Sequence, residues 1–333
     1  ITALVDRSAS ENEIALFKKM REEGPLSVRV HLSRHIGTIG DLDEIQDSIR
    51  AVARDPLFTG KDATLRIIGI KTFLDGGMLT GSAYMREPWG VSKIYAITDP
   101  NYRGVRFIDH ERLVPLIRAA VESGIQFTAH SVGDGAVHAL LDAYEEVNKT
   151  TPIRDTRPCI SHSNFMSRES VEKAARLGVM MDIQPAWLYH DAHTLLAQFG
   201  YDRMRYFQPL RSIFDTGGIV GGGSDHMQKI GSLRSINIYN PFVGMATAVT
   251  PTSPKLRRAL HPEESLTREQ MIRFYTINNA RILAREADLG SLEPGKLADL
   301  IVLDTDLLTC PDSKIAATKV LRTYLSGNLV HNR

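Results

Sequence analysis

Residues 65–76 read LRIIGIKTFLDG, an apolar run that leads to a lysine and then to polar residues. Three other runs have the same form: IQFTAH (125–130), CISH (159–162) and IVGGGSD (219–225). A short apolar run with a polar end is typical of a buried β-strand with a functional tip. The residues at the four tips are Lys71, His130, His162 and Asp225.

Stretches with helical periodicity separate these runs. Further strands are predicted at 1–5, 26–32 and 179–184, and the helix after 26–32 opens at Asp41 as its N-cap. Strands that alternate with helices form a parallel sheet with right-handed crossovers, which indicates an α/β fold of the TIM-like (β/α)8 barrel type. Seven strands are counted where a closed barrel needs eight, so we expect the first strand to lie before residue 1.

Two positions interrupt the helical pattern. Pro115 lies in ERLVPLIRAAVESG, whose helix is predicted to end at Gly124, and it is expected in the first turn, where proline is tolerated. His190 and His193 form an HxxH motif after the strand 179–184, and we place this motif in a loop.

Two long stretches without clear periodicity follow strand tips, at 76–104 and 234–262. Loops in this position usually shape a substrate pocket, which we favour over a disordered insertion. Near the C-terminus, LADLIVLD (297–304) and VLRTYLSGNLV (320–330) are predicted to form a pair of antiparallel strands outside the alternating series.

Composition excludes several classes of function. The 333 residues are 43% hydrophobic, and 40 basic against 39 acidic residues leave no net field for nucleic acid or an anionic membrane. No apolar run approaches a membrane span, and the first residues lack the features of a secretory signal. Two cysteines, Cys159 and Cys310, cannot build a disulfide framework, so we expect a reduced cytoplasmic setting.

Lys71 needs an explanation, because a charged amine at the end of a buried strand is costly unless it is paired or neutralised. Three explanations are open: a carbamate formed with carbon dioxide that bridges metal ions, a Schiff-base nucleophile, or an ion pair with Asp75. The histidines and the aspartate at the other tips favour the carbamate.

His130 and His162 end neighbouring strands, whose tips lie about 5 Å apart, so both imidazoles can reach one ion. Asp225 can bind a metal and accept a proton from metal-bound water; an N-cap, a salt bridge or a phosphate-binding glycine loop are the alternatives. Imidazole and carboxylate ligands suit a divalent metal, zinc above all, although iron and manganese stay open.

Three other side chains are candidates for contact with substrate. Trp187 offers an apolar wall, while His190 and His226 could line a pocket near the strand tips. The basic residues form no stripe with interleaved aromatics, so a small-molecule substrate is expected rather than nucleic acid. The sequence leaves homo-oligomerisation open.

The motifs resemble the amidohydrolase superfamily, in particular amidohydrolase family 3, which includes YtcJ-like proteins and N-substituted formamide deformylases. The resemblance covers nearly the whole chain and rests on five segments in order: IKTFLDGG (70–77), FTAHSVGDGAV (127–137), ISHSNF (160–165), GGGSDH (221–226) and LGSLEPGKLADLIVLD (289–304).

The resemblance implies a role for each tip residue. Lys71 would be the carboxylated bridging lysine of a site with one or two metal ions. His130 and His162 would hold one metal, and Asp225 would be ligand and general base. The barrel would occupy 1–285, and 286–333 would supply C-terminal strands of a small composite β-sandwich. The family also uses an His-x-His pair on its first strand, and this sequence contains none.

The leading hypothesis is therefore a metal-dependent amidohydrolase. Metal-bound hydroxide would attack an amide or related C–N bond of a small molecule, with Asp225 as general base. A barrel lyase or aldolase that uses Lys71 as a Schiff base, and a non-catalytic binding barrel, are the alternatives.

Overall fold

The computed structural model describes residues 1–60, 62–226 and 237–333. Its centre is a seven-stranded parallel sheet in which the strands lie in chain order. All seven strands predicted from the sequence are present: β1 (Ala3–Ala9), β2 (Arg29–His35), β3 (Leu65–Phe73), β4 (Gln126–Ser131), β5 (Cys159–His162), β6 (Met180–Asp182) and β7 (Val220–Gly221).

Helices connect the strands and cover the outer face of the sheet. They are α1 (Glu11–Glu23), α2 (Leu42–Val52), α3 (Pro56–Thr59), α4 (His110–Glu122), α5 (Asp134–Asn148), α6 (Arg168–Leu177), α7 (Pro185–Arg203), α8 (Leu210–Asp215), α9 (Pro241–Val249), α10 (Arg268–Arg273), α11 (Asn279–Ile282) and α12 (Asp312–Ile315). A π-helical segment, Phe274–Asn278, joins α10 to α11. Among these described helices, none combines the length and the apolar character that a bilayer crossing requires.

The sheet curls into a half-barrel, and one side chain shows how strongly. Arg7 on β1 places its Nε 2.8 Å from the Asp182 Oδ2 on β6. Five inter-strand steps of about 4.8 Å would separate these strands in a flat sheet, far beyond the reach of one side chain. The strands therefore curve around a polar interior, as in the barrel that the sequence predicts.

Helix ends follow the local sequence, with one exception. The Asp41 side chain accepts the backbone N–H groups of Asp43 and Glu44, which confirms it as the N-cap of α2. Pro115, however, lies inside α4 beyond its first turn, so that prediction was wrong. The helix starts at His110, and its buried apolar residues, such as Ile117, outweigh the hydrogen bond that proline cannot donate.

The HxxH motif lies in α7 and not in a loop, which corrects a second prediction. Pro185 occupies the first turn of this helix, and Leu188, Ala192 and Leu195 recur at helical spacing and are buried. The two polar histidines between them hide this pattern in the sequence.

The two long stretches are ordered where they are described. In 76–104, Trp89 is 2% exposed and donates a hydrogen bond from its Nε1 to the Ala83 carbonyl at 2.8 Å. The Trp89 ring also packs against Phe199 of α7 at 4.8 Å between centroids. The stretch 234–262 contains α9, which the sequence analysis did not anticipate, and its first three residues lie outside the described part.

The C-terminal β segment contains three strands instead of the predicted two. They are β8 (Leu300–Leu303), β9 (Val320–Leu325) and β10 (Asn328–Asn332), in the antiparallel order β10-β9-β8. The stretch 320–330 folds back on itself at Ser326 and Gly327, whose φ values of 50° and 80° match a tight two-residue hairpin turn. The Ser-Gly dipeptide was the signal for this turn.

His31 on β2 makes stability depend on pH. It is 1% exposed, and burial followed by the charge of Arg285 lowers its pKa to about 4. Between pH 6.5 and pH 4 the unfolded chain binds a proton here that the folded chain does not. The free energy of unfolding is therefore highest above pH 6.5 as far as His31 is concerned, and it falls by up to about 3 kcal/mol as the pH drops toward 4.

Replacement of His31 tests this pH dependence. Urea unfolding at pH 7 and pH 5 should show a smaller loss in the free energy of unfolding for His31→Gln than for the parent. His331→Gln, at an exposed site, is the control, and equal losses in all three proteins would contradict this.

Candidate metal centre

Three of the predicted site residues lie on adjacent strands at one end of the sheet. Lys71 lies near the end of β3, His130 near the end of β4, and His162 is the last residue of β5. In the parallel register, Phe73 is opposite His130 and Ser131 is opposite His162. The ring centroids of His130 and His162 are 4.5 Å apart.

Strand alternation alone would turn His162 away from this group. Cys159 lies in the barrel interior, 3.5 Å from an Arg7 nitrogen, so Ser161 shares the inner face and His162 would lie on the other. Positive φ values of 82° at His162 and 44° at Ser163 redirect the chain as the strand ends. A positive φ at a non-glycine residue lowers stability by about 1–3 kcal/mol, and residues of this kind are concentrated at functional sites. Here it accompanies the contact between the two imidazoles.

Hydrogen bonds assign the free nitrogen of each imidazole. His130 places Nε2 3.3 Å from the Gly76 carbonyl, which can only accept, so Nε2 carries the proton and Nδ1 is free. His162 places Nδ1 2.8 Å from Gln184 Oε1, so Nδ1 donates and Nε2 is free. Partners of this kind orient metal-binding histidines.

The electrostatic surroundings keep both imidazoles neutral. Burial and then the charge of Lys71 lower the pKa of His130 to about 4. Burial and then His130 lower the pKa of His162 well below its usual range. At neutral pH each ring therefore has a lone pair available to a cation.

Lys71 is 3% exposed, and its ammonium group has no hydrogen-bond or ion-pair partner among the described residues. Its Nζ lies 5.4 Å from the centroid of the Phe73 ring. Burial, followed by the charge of Arg7, lowers its pKa to about 8, so roughly a tenth of the amine is neutral at pH 7. A neutral, unpaired amine is the form that can react with carbon dioxide or a carbonyl group.

Asp75 does not pair with Lys71, which removes one explanation for that lysine. The carboxylate is 1% exposed and accepts three backbone N–H groups at 2.9 Å, from Tyr84, Val132 and Gly133. It also lies 3.7 Å from His130 Nε2. Asp75 thus fastens the 76–104 loop to the end of β4, next to one imidazole.

Asp225 lies beyond the end of β7, with a φ of 49° and an exposed position. Its charge interacts with those of Lys71 and Asp182. Two of the preceding glycines permit close packing, since a Cβ on Gly222 would lie 1.8 Å from the Ile183 carbonyl oxygen, and Gly221 meets the Asn279 side chain. Gly223 has open space instead.

The three candidate substrate residues differ in position. Trp187 stacks on His162, with centroids 5.0 Å apart and a 12° angle between the rings. His190 follows on α7, and its Nε2 is buried with no hydrogen-bond partner among the described residues, as is the indole nitrogen of Trp187. His226 turns to Asn237, whose carbonyl oxygen lies 3.1 Å from its Nδ1.

A model of the Amidohydrolase family matches residues 1–331. The chain belongs to this family. The match confirms the resemblance drawn from the five sequence segments and fits the half-barrel with strand-end histidines.

Known proteins agree with this assignment. The chain is 30% identical over 232 residues to the N-substituted formamide deformylase of Arthrobacter pascens, which covers 69% of this chain and 41% of that protein. It is 27% identical over 272 residues to the putative amidohydrolase YtcJ of Bacillus subtilis, covering 79% of this chain and 47% of YtcJ. The chain thus spans less than half the length of these curated relatives.

A solved structure shows the same fold. An uncharacterised metal-dependent hydrolase from Pyrococcus furiosus superposes with a TM-score of 0.74 at 24% identity, over 93% of this chain and 57% of that one. At this identity the likeness establishes the fold.

Some of the predicted site residues are suited to hold a metal ion, and one is not grouped with them. Two neutral imidazoles with free nitrogens interact electrostatically with the buried amine of Lys71, which has no hydrogen-bond partner among the described residues. Neutral nitrogens of this kind suit a divalent cation. Within residues 1–60, 62–226 and 237–333, however, no three His, Cys, Asp or Glu side chains are grouped closely enough to hold a metal. Asp225 therefore does not complete such a group with the imidazoles, whereas Lys71 is close enough to affect the pKa values of both.

Sequence reasoning missed the residues that support this centre. Arg7, Asp182 and Gln184 form a hydrogen-bonded chain that ends at His162. Their signal was present, because Asp182 and Gln184 alternate along the predicted strand 179–184, as inward-facing polar residues do. Polar residues inside a predicted barrel strand, like those at its tip, can therefore indicate a functional site.

Proposed function

We propose that this chain is part of a metal-dependent amidohydrolase that hydrolyses an amide or related C–N bond of a small molecule. The observation that carries the proposal is the pair of neutral imidazoles, 4.5 Å apart, which interact electrostatically with Lys71, a buried lysine that has no ion-pair partner in the described part of the chain. The names of the relatives agree with it, since one is a formamide deformylase and another a putative amidohydrolase.

In the proposed reaction, His130 Nδ1, His162 Nε2 and Lys71, free or carboxylated, would hold a divalent cation, with zinc the first candidate. Such a cation polarises a carbonyl group and lowers the pKa of water. Trp187 would form one wall beside His162 and keep bulk water from that side. Asp225 would accept the proton of the attacking water and pass it to the leaving nitrogen.

Replacement of Asp225 tests the assigned base. We expect Asp225→Asn to lower kcat for an N-substituted formamide by about 10²–10⁴-fold, because the amide cannot accept the proton. Bound metal, measured by elemental analysis, should stay with the protein through the two histidines. Asp215→Asn, on the surface helix α8, is the control and should keep full activity.

Removal of the metal ion by a chelator is a second test of the proposed function. A chelator should remove amide hydrolysis, and added zinc should restore it. A protein that binds no metal, or one that binds metal but hydrolyses no amide, would contradict the proposal.

Schiff-base chemistry is a second candidate, favoured by the lowered pKa of Lys71. It predicts that borohydride with a carbonyl compound traps a covalent adduct on Lys71. The amidohydrolase proposal predicts no adduct. The imidazole pair has no role in the Schiff-base reaction, which is why we rank that reaction second.

A further inference from the structure

A hydrogen-bonded chain runs from the barrel interior to the candidate metal centre. Arg7 Nε donates to Asp182 Oδ2 at 2.8 Å, and Gln184 Nε2 donates to Asp182 Oδ1 at 3.2 Å. His162 Nδ1 then lies 2.8 Å from Gln184 Oε1. The Asp182 carboxylate can only accept, so Gln184 must turn its NH2 group to Asp182 and its oxygen to His162.

Arg7 has donors and no acceptors, and it fixes the position of the Asp182 carboxylate. Its guanidinium is anchored on several strands, by Gln126 Oε1 at 2.7 Å, Ser33 Oγ at 3.3 Å and Cys159 Sγ at 3.5 Å. The guanidinium cannot turn away without losing these contacts. It therefore holds Asp182 Oδ2 and leaves Oδ1 facing Gln184.

The Gln184 amide is fixed in turn, because its NH2 group donates to both the carboxylate and the backbone carbonyl of Asp182, each at 3.2 Å. Its oxygen must then face His162. An oxygen there accepts a proton only from Nδ1, which leaves Nε2 of His162 as a lone pair. Reversal of the amide would place NH2 against Nδ1 and move the imidazole proton to Nε2.

We propose that Arg7 is a positioning residue for the metal centre: it fixes the Asp182 carboxylate, which through Gln184 sets the tautomer of His162 and so keeps Nε2 free for a cation. The role assigned to Arg7 acts through Asp182 and Gln184 and requires no contact with the cation. The effect on metal affinity rests on the proposed function, whereas the effect on the tautomer exists in the metal-free protein.

The tautomer can be read directly. The probe is the metal-free 333-residue chain labelled with ¹⁵N-histidine, whose ring nitrogens are correlated with ring protons by NMR; a His162→Gln variant assigns the signal. We expect the Nδ1–H form of His162 in the parent. In Gln184→Met the acceptor is gone, so the Nε2–H form should appear and zinc affinity should fall about 10–100-fold.

The matched control is Gln208→Met. Gln208 is also buried and donates to the Gln184 backbone carbonyl at 3.0 Å, but it forms no hydrogen bond with His162. It should leave both the tautomer and zinc affinity as in the parent. Equal effects of the two glutamine variants would overturn the proposal.

A double variant tests the role of Arg7 itself. In Asp182→Asn the oxygen of the new amide must face the Arg7 donor, so its NH2 faces Gln184 and opposes the original direction. The Nε2–H form of His162 should then increase. In Arg7→Met/Asp182→Asn the amide is free to turn its oxygen to Gln184, and the Nδ1–H form should return.

The outcomes distinguish the role of Arg7 from the proposed metal-dependent function. An unchanged tautomer in Asp182→Asn, or no return in the double variant, would overturn the assignment of Arg7. The predicted tautomer changes without zinc binding by any variant would support the relay and contradict the proposed function instead.

Discussion

Replacement of both His130 and His162 by asparagine is expected to abolish stoichiometric zinc binding. The two rings supply the neutral nitrogens of the centre, and loss of an outer partner of such a ligand already costs about 10–100-fold in affinity. Loss of both ligands should therefore exceed 100-fold. Competition with a chromophoric chelator measures this affinity.

His138→Asn is the matched control for the double variant. His138 lies on α5 and pairs with Asp142 at 3.4 Å, away from the strand ends. Its replacement should leave zinc affinity unchanged. Parent-like affinity in the double variant would show that the cation binds elsewhere.

Arg29→Met is expected to give the largest loss of stability, about 3–5 kcal/mol in the free energy of unfolding. Arg29 and Asp299 form a bidentate pair, with distances of 2.7 and 2.9 Å and exposures of 1% and 4%. Arg29 also donates to the Ala63 carbonyl and to Ser326 Oγ. Removal of the arginine leaves a buried carboxylate without its cation, which costs much more than removal of both charges.

Urea unfolding measures this loss, and two further variants test its origin. Arg29→Met/Asp299→Leu should recover much of the stability, because no uncompensated charge remains. Arg50→Met, which breaks an exposed pair with Asp47 on α2, should cost less than about 1 kcal/mol. Similar losses for Arg29→Met and Arg50→Met would show that the link from β2 to the C-terminal segment contributes little.

The strands and their polar ends could be predicted because their signals are local. Apolar runs such as LRIIGIKTF bury both faces, and the polar residue that ends each run marks the tip. Strand order alone placed His130 and His162 at the ends of neighbouring strands. The positive φ at His162, which redirects its ring, left no mark that a single sequence shows.

The errors have equally specific causes. The HxxH residues of α7 were assigned to a loop because polarity was weighed above the helical spacing of Leu188, Ala192 and Leu195. The hairpin at Ser326 and Gly327 was overlooked because the flanking stretch is continuously strand-like.

The interior network could not be read from neighbours in the sequence. Arg7 meets Asp182 across 175 positions, and Arg29 meets Asp299 across 270. These contacts exist only once the sheet has curved and the C-terminal segment has returned to β2. Residues that seemed to be isolated charges in buried strands are pairs in the fold.

The most direct test of the metal centre is an anomalous difference map, collected at the zinc absorption edge from crystals of the chain grown with zinc. The account predicts a peak about 2 Å from both His130 Nδ1 and His162 Nε2, next to Lys71. A fully occupied zinc site remote from these imidazoles would contradict the assigned centre. Clear electron density for both rings with no anomalous peak between them would also contradict it.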